Sequence, residues 1–503
     1  MRRLLPLLLL PALCADALAT WSIIVIKRST REVAVGCATC INNFNLVPYT
    51  PVVRPGIGVA NIQSSGDVGG TRKPIVWAGF EAGDSPDEIV QAIRGEPFFQ
   101  NLQLGVVSWD GPPVSFSGEG AGAAVCGLIG DDGDLVYAIQ GNLMTGVAVC
   151  TAAEQALLST DGDLVAKLMA GMLAARSMGG DGRCSCPRPD PTTCGAPPPV
   201  FTKSAHTGFM IVARVGDEEG QCTPSSGCAN GSYYLLRNAI GDASDIDPIF
   251  ELEQKVNLWR SKQQGKPDQV LSTVSASRQL LVADGTSRAT ITVALRDIDD
   301  VPLAQGGALL TIAPRHAGPP PALAGPVTDH GDGTYSFDLV ATADPGRGAW
   351  DVIVDFGGAK TRQLWPPLTL ETRPLVDLFC GFDSYPGGSG LDVPFELNRG
   401  PAEAGRPYHL LGTLSGTSPG VVIGGVGVPL NRDAFFEQTW FHPGAPGFSG
   451  SIGQLDALGH AGASLLLDAP TSAALVGERF HFCTLLGGGS PGISGLTSVL
   501  IAP

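Results

Sequence analysis

The stretch TWSIIVIKRSTREVAVGCATC, residues 20–40, reads as two strands joined by the short turn RSTR. Its first segment, TWSIIVIK, is apolar at nearly every position, whereas a strand with one wet face alternates between apolar and polar residues. We therefore predict a β-hairpin whose first strand is covered on both faces, as expected for a sheet that lies between other layers.

Further strands and helices follow this hairpin. Strands are predicted at GIGVANIQ (56–63), LQLGVVSWD (102–110), AAVCGLIG (123–130), LVYAIQG (135–141) and HTGFMIVARV (206–215). Helices are predicted at SPDEIVQAI (85–93), as an amphipathic pair within 147–178 broken at STDGD, and at 247–263. Buried strands with interspersed helices predict an α+β domain at 20–263, with sheets sandwiched between helices.

The pattern changes after GKPDQ (265–269), which reads as a linker. Clean alternation in RQLLVADGTSRATITVALRD (278–297) and in GDGTYSFDLVA (331–341) predicts an immunoglobulin-like β-sandwich at 270–370. The Gly-rich remainder, 376–503, includes FFEQTWFHPG (435–444) and is predicted to be a second all-β domain made of strands and turns.

The charge distribution argues against a nucleic-acid partner. The formal net charge is −16, and the acidic residues are dispersed along the chain. No block of Lys and Arg interleaves with aromatic residues, as a nucleic-acid groove would need.

The first nineteen residues, MRRLLPLLLLPALCADALA, have the features of a signal peptide. A basic start precedes an apolar run, and Ala17 and Ala19 form the A-x-A pattern of a cleavage site. The apolar run is about half of the roughly 20 residues that a membrane-spanning helix needs. We therefore predict cleavage after Ala19 and export, with the protein secreted, periplasmic or on the cell surface.

Cleavage after Ala19 would make Thr20 the first residue of the mature chain. Its α-amine could then act as general base for its own hydroxyl, since the reference pKa of an α-amine lies near 8. Within a chain the same nitrogen is an amide and cannot accept the proton. The alternative is that Thr20 is simply the β-branched first residue of a strand.

The motifs TWSIIVI (20–26), REVAVGCAT (31–39), RPGIGVANIQ (54–63), YAIQGNLM (137–144) and SMGGDGR (177–183) occur in this order. On them the chain resembles the bacterial domain-of-unknown-function family 1028 over about residues 20–260. That family is similar to N-terminal-nucleophile (Ntn) hydrolases. The resemblance implies a four-layer α/β/β/α fold and a nucleophilic Thr20 that cleaves an amide or ester bond.

Three further residues are candidates for this site. Asn142, just past a strand end, is predicted to donate to an oxyanion, or else closes a turn. Asp181 could orient the amine of Thr20, or else ends a helix. Asp67 stands near the Asn of the Asn-Pro-x-Tyr-Gly loop that the resemblance leads us to expect, and is predicted to bind substrate. No cofactor or metal is predicted.

The cysteines allow two interpretations. Cys184, Cys186, Cys194, Cys222 and Cys228 could bind zinc as thiolates, but their uneven spacing and the expected export favour disulfides. Cys37 and Cys40 form a C-x-x-C on a strand, which is not the context of a redox motif.

The segment VSASRQLLVADGTSRATITVALRDIDDVPL (274–303) resembles the immunoglobulin-like modules of invasin-type bacterial surface proteins, which implies a spacer or adhesive role. The last segment resembles C-terminal β domains of exported planctomycete-like proteins. Two hypotheses follow. The chain is an exported hydrolase acting on a small-molecule or peptide amide, or it is a noncatalytic scaffold that contacts a cell surface or matrix through its β modules.

Overall fold

The computed structural model describes residues 20–67, 69–187, 190–316, 320–357, 361–373, 378–445, 447–488 and 492–503. The predicted signal peptide, residues 1–19, lies outside the described residues. The chain divides into two compact units, Met1–Gln264 and Gly265–Pro503. The finer division at 270–370 and 376–503 stays a prediction.

The first unit contains both strands and helices. Its strands are β1 (Thr20–Lys27), β2 (Glu32–Thr39), β3 (Pro51–Arg54), β4 (Gly58–Ser64), β5 (Leu102–Ser108), β6 (Val114–Ser117), β7 (Cys126–Asp131), β8 (Leu135–Gly141), β9 (Thr207–Ala213) and β10 (Leu235–Ile240). Its helices are α1 (Arg72–Ala82), α2 (Pro86–Ile93), α3 (Ala148–Ser159), α4 (Leu164–Ser177), α5 (Gly182–Ser185) and α6 (Pro248–Ser261). The predicted α+β class of this unit is confirmed.

The predicted hairpin forms the centre of a six-stranded antiparallel sheet with the order β10-β9-β2-β1-β8-β7. Strand β1 is hydrogen-bonded to β2 on one side and to β8 on the other. Every residue of β1 before Lys27 is buried, as its unbroken apolar pattern predicted.

A four-stranded sheet, β3-β4-β5-β6, packs face to face against the six-stranded sheet. Between them lies an apolar core that includes Ile24, Ile26, Val59 and Val107. Helices α3, α4 and α6 contact the six-stranded sheet, whereas α1 and α2 contact the four-stranded sheet. Both sheets therefore carry helices as well as facing each other.

Helix α2 begins at the predicted place because Ser85 and Glu88 form a capping box, in which each side chain bonds the other residue's backbone N–H. The predicted pair within 147–178 is also present, as α3 and α4, and Asp163 caps α4 by accepting from Ala166 N. Helix α1 was not predicted, and the SSGDVGGTRKP segment, read as a loop, runs into its first turn at Arg72.

Four disulfides join cysteines in the described part of the first unit, and they confirm the disulfide interpretation of the cysteines. They join Cys40 to Cys184, Cys126 to Cys150, Cys186 to Cys194 and Cys222 to Cys228. All five cysteines considered as zinc ligands are therefore oxidised, which leaves them no thiolate for a metal. Cys37, Cys380 and Cys483 are buried free thiols.

The second unit begins with an immunoglobulin-like β-sandwich, as the alternating pattern predicted. Two five-stranded sheets, β11-β13-β17-β15 with β16 and β12-β20-β18-β14 with β19, enclose a core around Trp350, Tyr335 and Phe337. The strands are β11 (Thr273–Ala276), β12 (Leu280–Val282), β13 (Arg288–Ala294), β14 (Leu309–Pro314), β15 (Ala322–Ala324), β16 (Thr328–Asp329), β17 (Thr334–Ala341), β18 (Gly346–Asp355), β19 (Arg362–Gln363) and β20 (Leu368–Arg373).

We call residues 378–503 the C-terminal module. Its strands are β21 (Leu378–Cys380), β22 (Ser384–Pro386), β23 (Leu391–Asn398), β24 (Pro407–Thr413), β25 (Val421–Ile423), β26 (Val426–Val428), β27 (Phe448–Ser449), β28 (Ile452–Gln454), β29 (His460–Leu467), β30 (Arg479–Leu486), β31 (Gly492–Ile493) and β32 (Thr497–Ala502). A four-stranded sheet, β21-β23-β29-β27, and a six-stranded sheet, β22-β32-β30-β24-β28 with β31, share a core that includes Phe395 and Phe482.

The prediction that the C-terminal module is all strand and turn is wrong at two places. The stretch read as a strand at 435–444 lies largely within helix α7 (Ala434–Phe441), and a second helix, α8 (Ala469–Ala474), follows β29. Each helix has an aspartate as N-cap, Asp433 and Asp468, whose side chains accept backbone hydrogen bonds in the first turn. An aspartate at the N-cap satisfies backbone N–H groups of the first turn and so stabilises a helix, although the aromatic run that follows Asp433 favours a strand.

Among the described residues, no helix has the length and apolar character needed to cross a membrane.

Asp433 generates a testable prediction about stability. Burial raises the pKa of its carboxyl, but hydrogen bonds from Phe436 N, the Thr413 hydroxyl, Leu414 N and Ser415 N outweigh it and hold the pKa at about 2. Because this pKa is depressed, the stabilisation is present above the unfolded pKa of about 4 and is lost as pH falls toward about 2.

We expect Asp433→Ala to lower the free energy of unfolding by about 2 kcal/mol at pH 7, the upper end for loss of a helix cap, because four hydrogen bonds to the carboxylate are lost. Urea unfolding followed by circular dichroism measures this. The difference from the parent chain should shrink between pH 4 and pH 2, and a difference that stays constant over that interval would contradict the assignment.

Candidate functional site

Thr20 begins β1 in the middle of the six-stranded sheet and is 1% exposed. Its backbone nitrogen donates to Asn142 Oδ1 at 2.9 Å, and its carbonyl accepts from Asn142 N at 3.1 Å. Asn142 lies immediately after β8, the strand that pairs with β1. The structure therefore brings these two predicted residues together, with Asn142 holding both main-chain groups of Thr20.

The amide nitrogen of Asn142 points away from Thr20. It donates to Ala121 O at 2.8 Å and lies 3.5 Å from Ser64 Oγ. Both of its hydrogens thus have acceptors, while the side-chain oxygen faces the Thr20 nitrogen. This geometry favours a role in positioning that nitrogen, whereas the sequence led us to expect a donor to an oxyanion.

Gln63, on β4 of the facing sheet, makes four of the buried polar contacts. Its Nε2 donates to Thr20 O at 2.8 Å and to Gln103 Oε1 at 2.7 Å. Its Oε1 accepts from Ser22 Oγ at 2.7 Å and from Asn61 Nδ2 at 3.0 Å. The Ser22 side chain therefore faces the four-stranded sheet. Because side chains two residues apart on a strand lie on the same face, the Thr20 side chain faces that sheet too.

Gln103 extends the contacts toward the end of β8. Its Nε2 lies 2.9 Å from Ser117 Oγ and 3.0 Å from each of two carbonyl oxygens, Cys126 O and Gly141 O. Gln140 joins the same layer, since its Nε2 donates to Asn61 O at 3.0 Å. We call Ser22, Asn61, Gln63, Gln103, Gln140 and Asn142 the intersheet amide network.

Of this network only Asn142 was predicted from the sequence. The available signal was a polar residue inside a strand otherwise read as fully buried: Asn61 and Gln63 in ANIQ, Gln103 in LQLG and Gln140 in AIQG. A buried amide must find partners, because leaving it without them costs about 1–3 kcal/mol. Several amides on neighbouring strands therefore indicate a shared polar layer.

The backbone around Thr20 adopts conformations that are rare for residues with a Cβ. Ser64, at the end of β4, has φ 74°, Leu143, directly after Asn142, has φ 52°, and Ala124 has φ 45°. For a bulky residue such as Leu143 this left-handed conformation is unfavourable. Strained residues of this kind cluster at functional sites, where the surrounding contacts hold them in place.

Asp181 lies one strand away from Thr20. It caps α5, accepts from Cys40 N at 2.8 Å, and pairs with Arg183 at 2.8 Å. Arg183 Nη2 in turn donates to Thr39 Oγ1 at 3.2 Å, and Thr39 is the register partner of Thr20. The connection from Asp181 to Thr20 thus runs through Arg183 and β2.

Asp67 lies in the loop that follows β4 and is buried. Its carboxylate accepts from the backbone nitrogens of Thr71, Arg72 and Lys73, which form the start of α1. The ammonium of Lys73 is 4.0 Å away and donates to Pro48 O. These contacts give Asp67 a role in beginning α1, and its predicted role in substrate binding stays a prediction.

A thiol and an imidazole also lie near the site. Burial raises the pKa of Cys37 to about 12, so this thiol stays protonated near neutral pH and is a poor nucleophile. Burial, with the nearby Lys203 charge, lowers the pKa of His206, whose Nδ1 is 3.8 Å from Cys40 Sγ. Cys40, Cys184 and His206 form a cluster of metal-ligand types in the described part of the chain, but its two sulfurs are joined to each other.

Comparison with known families gives two matches. Residues 20–186 match the profile described as "Family of unknown function (DUF1028)", and residues 268–364 match that described as "Invasin, domain 3". Both resemblances predicted from motifs are thereby confirmed over these residues. Among proteins with curated descriptions, none matches this chain.

Several solved structures are similar to parts of the chain. Protein SPO2555 from Silicibacter pomeroyi, a DUF1028 structure, is 16% identical with a TM-score of 0.35, covering 49% of this chain and 91% of its own. The adhesin InvE of Yersinia pseudotuberculosis is 17% identical with a TM-score of 0.18, covering 46% of this chain and 58% of its own. Invasin, titled a bacterial integrin-binding protein, is 10% identical with a TM-score of 0.19, covering 96% of this chain and 60% of its own.

The central place of Gln63 in the network is testable by substitution. Gln63→Leu would remove the oxygen that accepts from the Ser22 hydroxyl and the Asn61 amide, and it would remove one of the two donors to the Thr20 carbonyl. We expect the free energy of unfolding to fall by about 1–3 kcal/mol. Urea unfolding measures this, with Gln91→Leu on the exposed face of α2 as control. A loss no larger than that of the control would contradict the network.

Proposed function

We propose that the first unit is an exported Ntn-type hydrolase whose nucleophile is Thr20. The observation that carries the proposal is the hydrogen bond from the Thr20 nitrogen to Asn142 Oδ1, at 2.9 Å, within a buried polar layer. This bond fixes the atom that would become the α-amine if the chain is cut after Ala19. The signal peptide at 1–19 is part of the proposal, since that cut creates the base.

In this mechanism the Thr20 hydroxyl oxygen attacks the carbonyl carbon of an amide or ester, while the α-amine takes the hydroxyl proton. The bond from carbon to the leaving nitrogen or oxygen breaks, and that proton passes to the leaving group. The product is an ester between the acyl group and Thr20 Oγ. Water then attacks this ester, giving one proton to the amine, which returns it to Thr20 Oγ.

Asn142 suits the positioning of such a base. A carboxamide oxygen accepts a hydrogen bond from the amine but carries no full charge, so it raises the pKa of the amine less than a carboxylate would. The base is thereby oriented without a full charge beside it. Exclusion of water by the two sheets strengthens each polar contact at the site.

The order of contacts in the first unit supports the Ntn-type assignment. Two sheets face each other and each carries helices, α3, α4 and α6 on one and α1 and α2 on the other. This is the order expected of a four-layer α/β/β/α fold. In the proposal Asp181 holds the end of β2 beside Thr20, and Asp67 shapes the loop through which a small-molecule or peptide amide would be bound.

A second function, contact with a cell surface or matrix, is favoured by the invasin-type match at 268–364. An immunoglobulin-like sandwich is suited to spacing and adhesion, and four disulfides are typical of proteins that work in an oxidising, extracellular setting. The two functions are compatible if the β modules hold the first unit at a surface. If Thr20 proves inert, the surface role is the one that remains.

The first prediction from this proposal concerns the end of the mature chain. N-terminal sequencing of exported protein should give Thr20 as the first residue. An electrophile that acylates hydroxyl groups, such as a β-lactone, should then label Thr20, as located by peptide mass spectrometry. Thr20→Ser should keep labelling, Thr20→Ala should remove it, and Thr151→Ala on the exposed face of α3 should leave it unchanged. Unlabelled, folded protein that begins at Thr20 would refute catalysis and leave the surface role.

The second prediction concerns Asn142. In Asn142→Asp a carboxylate faces the amine, so the pKa of the amine should rise and the midpoint of the labelling rate against pH should move upward by roughly one unit. Asn142→Leu, which loses the contact, should label more slowly without that upward shift. Identical pH profiles for the parent chain and Asn142→Asp would show that the side chain does not face the amine.

A further inference from the structure

The disulfide between Cys40 and Cys184 differs in exposure from the other three disulfides of the described residues. Neither of its cysteines is fully buried. In each of the other three at least one cysteine is buried, namely Cys126 and Cys150, Cys186, and Cys228. Access to the sulfurs is one of the factors that set the rate of thiol–disulfide exchange. On this criterion Cys40–Cys184 is the bridge that a dissolved thiol reaches most readily.

An imidazole lies beside one of the two sulfurs. His206 Nδ1 is 3.8 Å from Cys40 Sγ, a hydrogen-bonding distance for sulfur. Backbone hydrogen bonds hold the residue in place, because His206 N donates to Thr39 O at 2.9 Å and His206 O accepts from Gly241 N at 3.1 Å. His206 is the only histidine of residues 1–264, so this bridge alone in the first unit has an imidazole beside it.

The protonation state of His206 allows it to donate to this sulfur. Burial, with the charge of Lys203, lowers the pKa of His206, so the ring is neutral at pH 7 and carries one N–H. With the hydrogen on Nδ1, the ring donates to Cys40 Sγ and favours the thiolate form of that sulfur. The charged groups around the ring are of both signs: Lys203, Arg183, Asp181 and Asp242. The hydrogen bond, rather than a net charge, therefore distinguishes Cys40.

We propose that Cys40–Cys184 is an exchange site for a small thiol, in which His206 donates to the sulfur of Cys40 as that sulfur leaves. A thiolate leaves faster when its pKa is lower, and the hydrogen bond from His206 lowers the pKa of Cys40. Attack is therefore directed to the other sulfur of the bridge, Cys184 Sγ.

The exchange takes place in two steps. The first thiolate forms a mixed disulfide with Cys184, while the electron pair of the broken S–S bond stays on Cys40 Sγ, which takes a proton from water. A second thiolate attacks the small-molecule sulfur of the mixed disulfide, and Cys184 leaves as a thiolate that is also protonated by water. Two small thiols are thereby oxidised to one disulfide, and the protein disulfide is reduced to two thiols.

The bridge lies next to the Thr20 end of β1. Cys40 follows Thr39, the register partner of Thr20, and Cys184 follows Arg183, which donates to Thr39 Oγ1. Opening the bridge removes a covalent tie between β2 and the turn at 181–184, and would loosen the surroundings of Thr20. The proposal does not require Thr20 to be catalytic, since the exchange and its test involve only the disulfide.

Timed exposure of the full chain to reduced glutathione at pH 7 tests the proposal. Acid stops the reaction, an alkylating reagent blocks the thiols, and peptide mass spectrometry measures the opened fraction of each disulfide. We expect Cys40–Cys184 to open before each of the other three, and the mixed disulfide with glutathione to be found on Cys184.

A variant tests the part assigned to His206. His206→Phe keeps a ring but has no N–H, and should slow the opening of Cys40–Cys184 by about tenfold, as expected for loss of one hydrogen bond to a charged sulfur. His442→Phe, which changes an exposed histidine of the C-terminal module, should open at the rate of the parent chain. The order of opening in the parent chain remains informative even if His206→Phe fails to fold.

Three results would overturn the proposal. They are that another of the four disulfides opens first, that glutathione is found on Cys40 in preference to Cys184, or that folded His206→Phe opens this bridge as fast as the parent chain does.

Discussion

Strand β1 is hydrogen-bonded on both edges and buried on both faces, and the arrangement of the first unit depends on this position. A strand so placed cannot shift its register by one residue, because every side chain would exchange faces. Thr20 is therefore held at a defined point between two sheets, with β2 on one side and the end of β8 on the other. The interior position also means that each polar group near Thr20 needs a protein partner.

The intersheet amide network meets most of that need, although two of its buried oxygens, Asn61 Oδ1 and Gln140 Oε1, have no hydrogen-bond partner among the described residues. Glutamine and asparagine carry both a donor and an acceptor, so a few of them can bond one another and also the strand carbonyls. The side chain of Gln63 is hydrogen-bonded to four residues, Thr20, Ser22, Asn61 and Gln103. Such a layer costs little when complete and much when one member is removed. The positive φ angles at Ser64 and Leu143 belong to the same region, where fixed contacts hold an unfavourable backbone.

The two modules of the second unit are both sandwiches, but the side chains that form their cores differ. The immunoglobulin-like sandwich closes its core with Trp350, Tyr335 and aliphatic residues. In the C-terminal module, Asp433 starts α7 and thereby places Phe435 against Phe448 and Phe480 beside a cavity. Helix α7 therefore contributes to the cavity wall through Phe435.

Sequence by itself determined the features that depend on neighbours along the chain. The apolar run of β1, the Ser85 and Glu88 capping box, the break between α3 and α4, and the period-two strands of the immunoglobulin-like sandwich all follow from local pattern. It also pointed to Thr20 and Asn142, because one follows the predicted cleavage site and the other follows a strand end. It did not reveal α7, whose aromatic run resembles a strand until its cap is considered.

Only the tertiary structure decided what those residues contact. Asn142 is 122 residues from Thr20 along the chain and meets it because β8 pairs with β1. Gln63 reaches Thr20 from a different sheet, and the pairing of Cys40 with Cys184 spans 144 residues. Apart from hairpins such as β1 and β2, local pattern holds no information about which strands become neighbours, since that choice depends on how the whole core packs. The fold therefore determined which partner each hydrogen-bonded buried polar group has. The sequence alone showed only that a polar residue in a buried strand needs one.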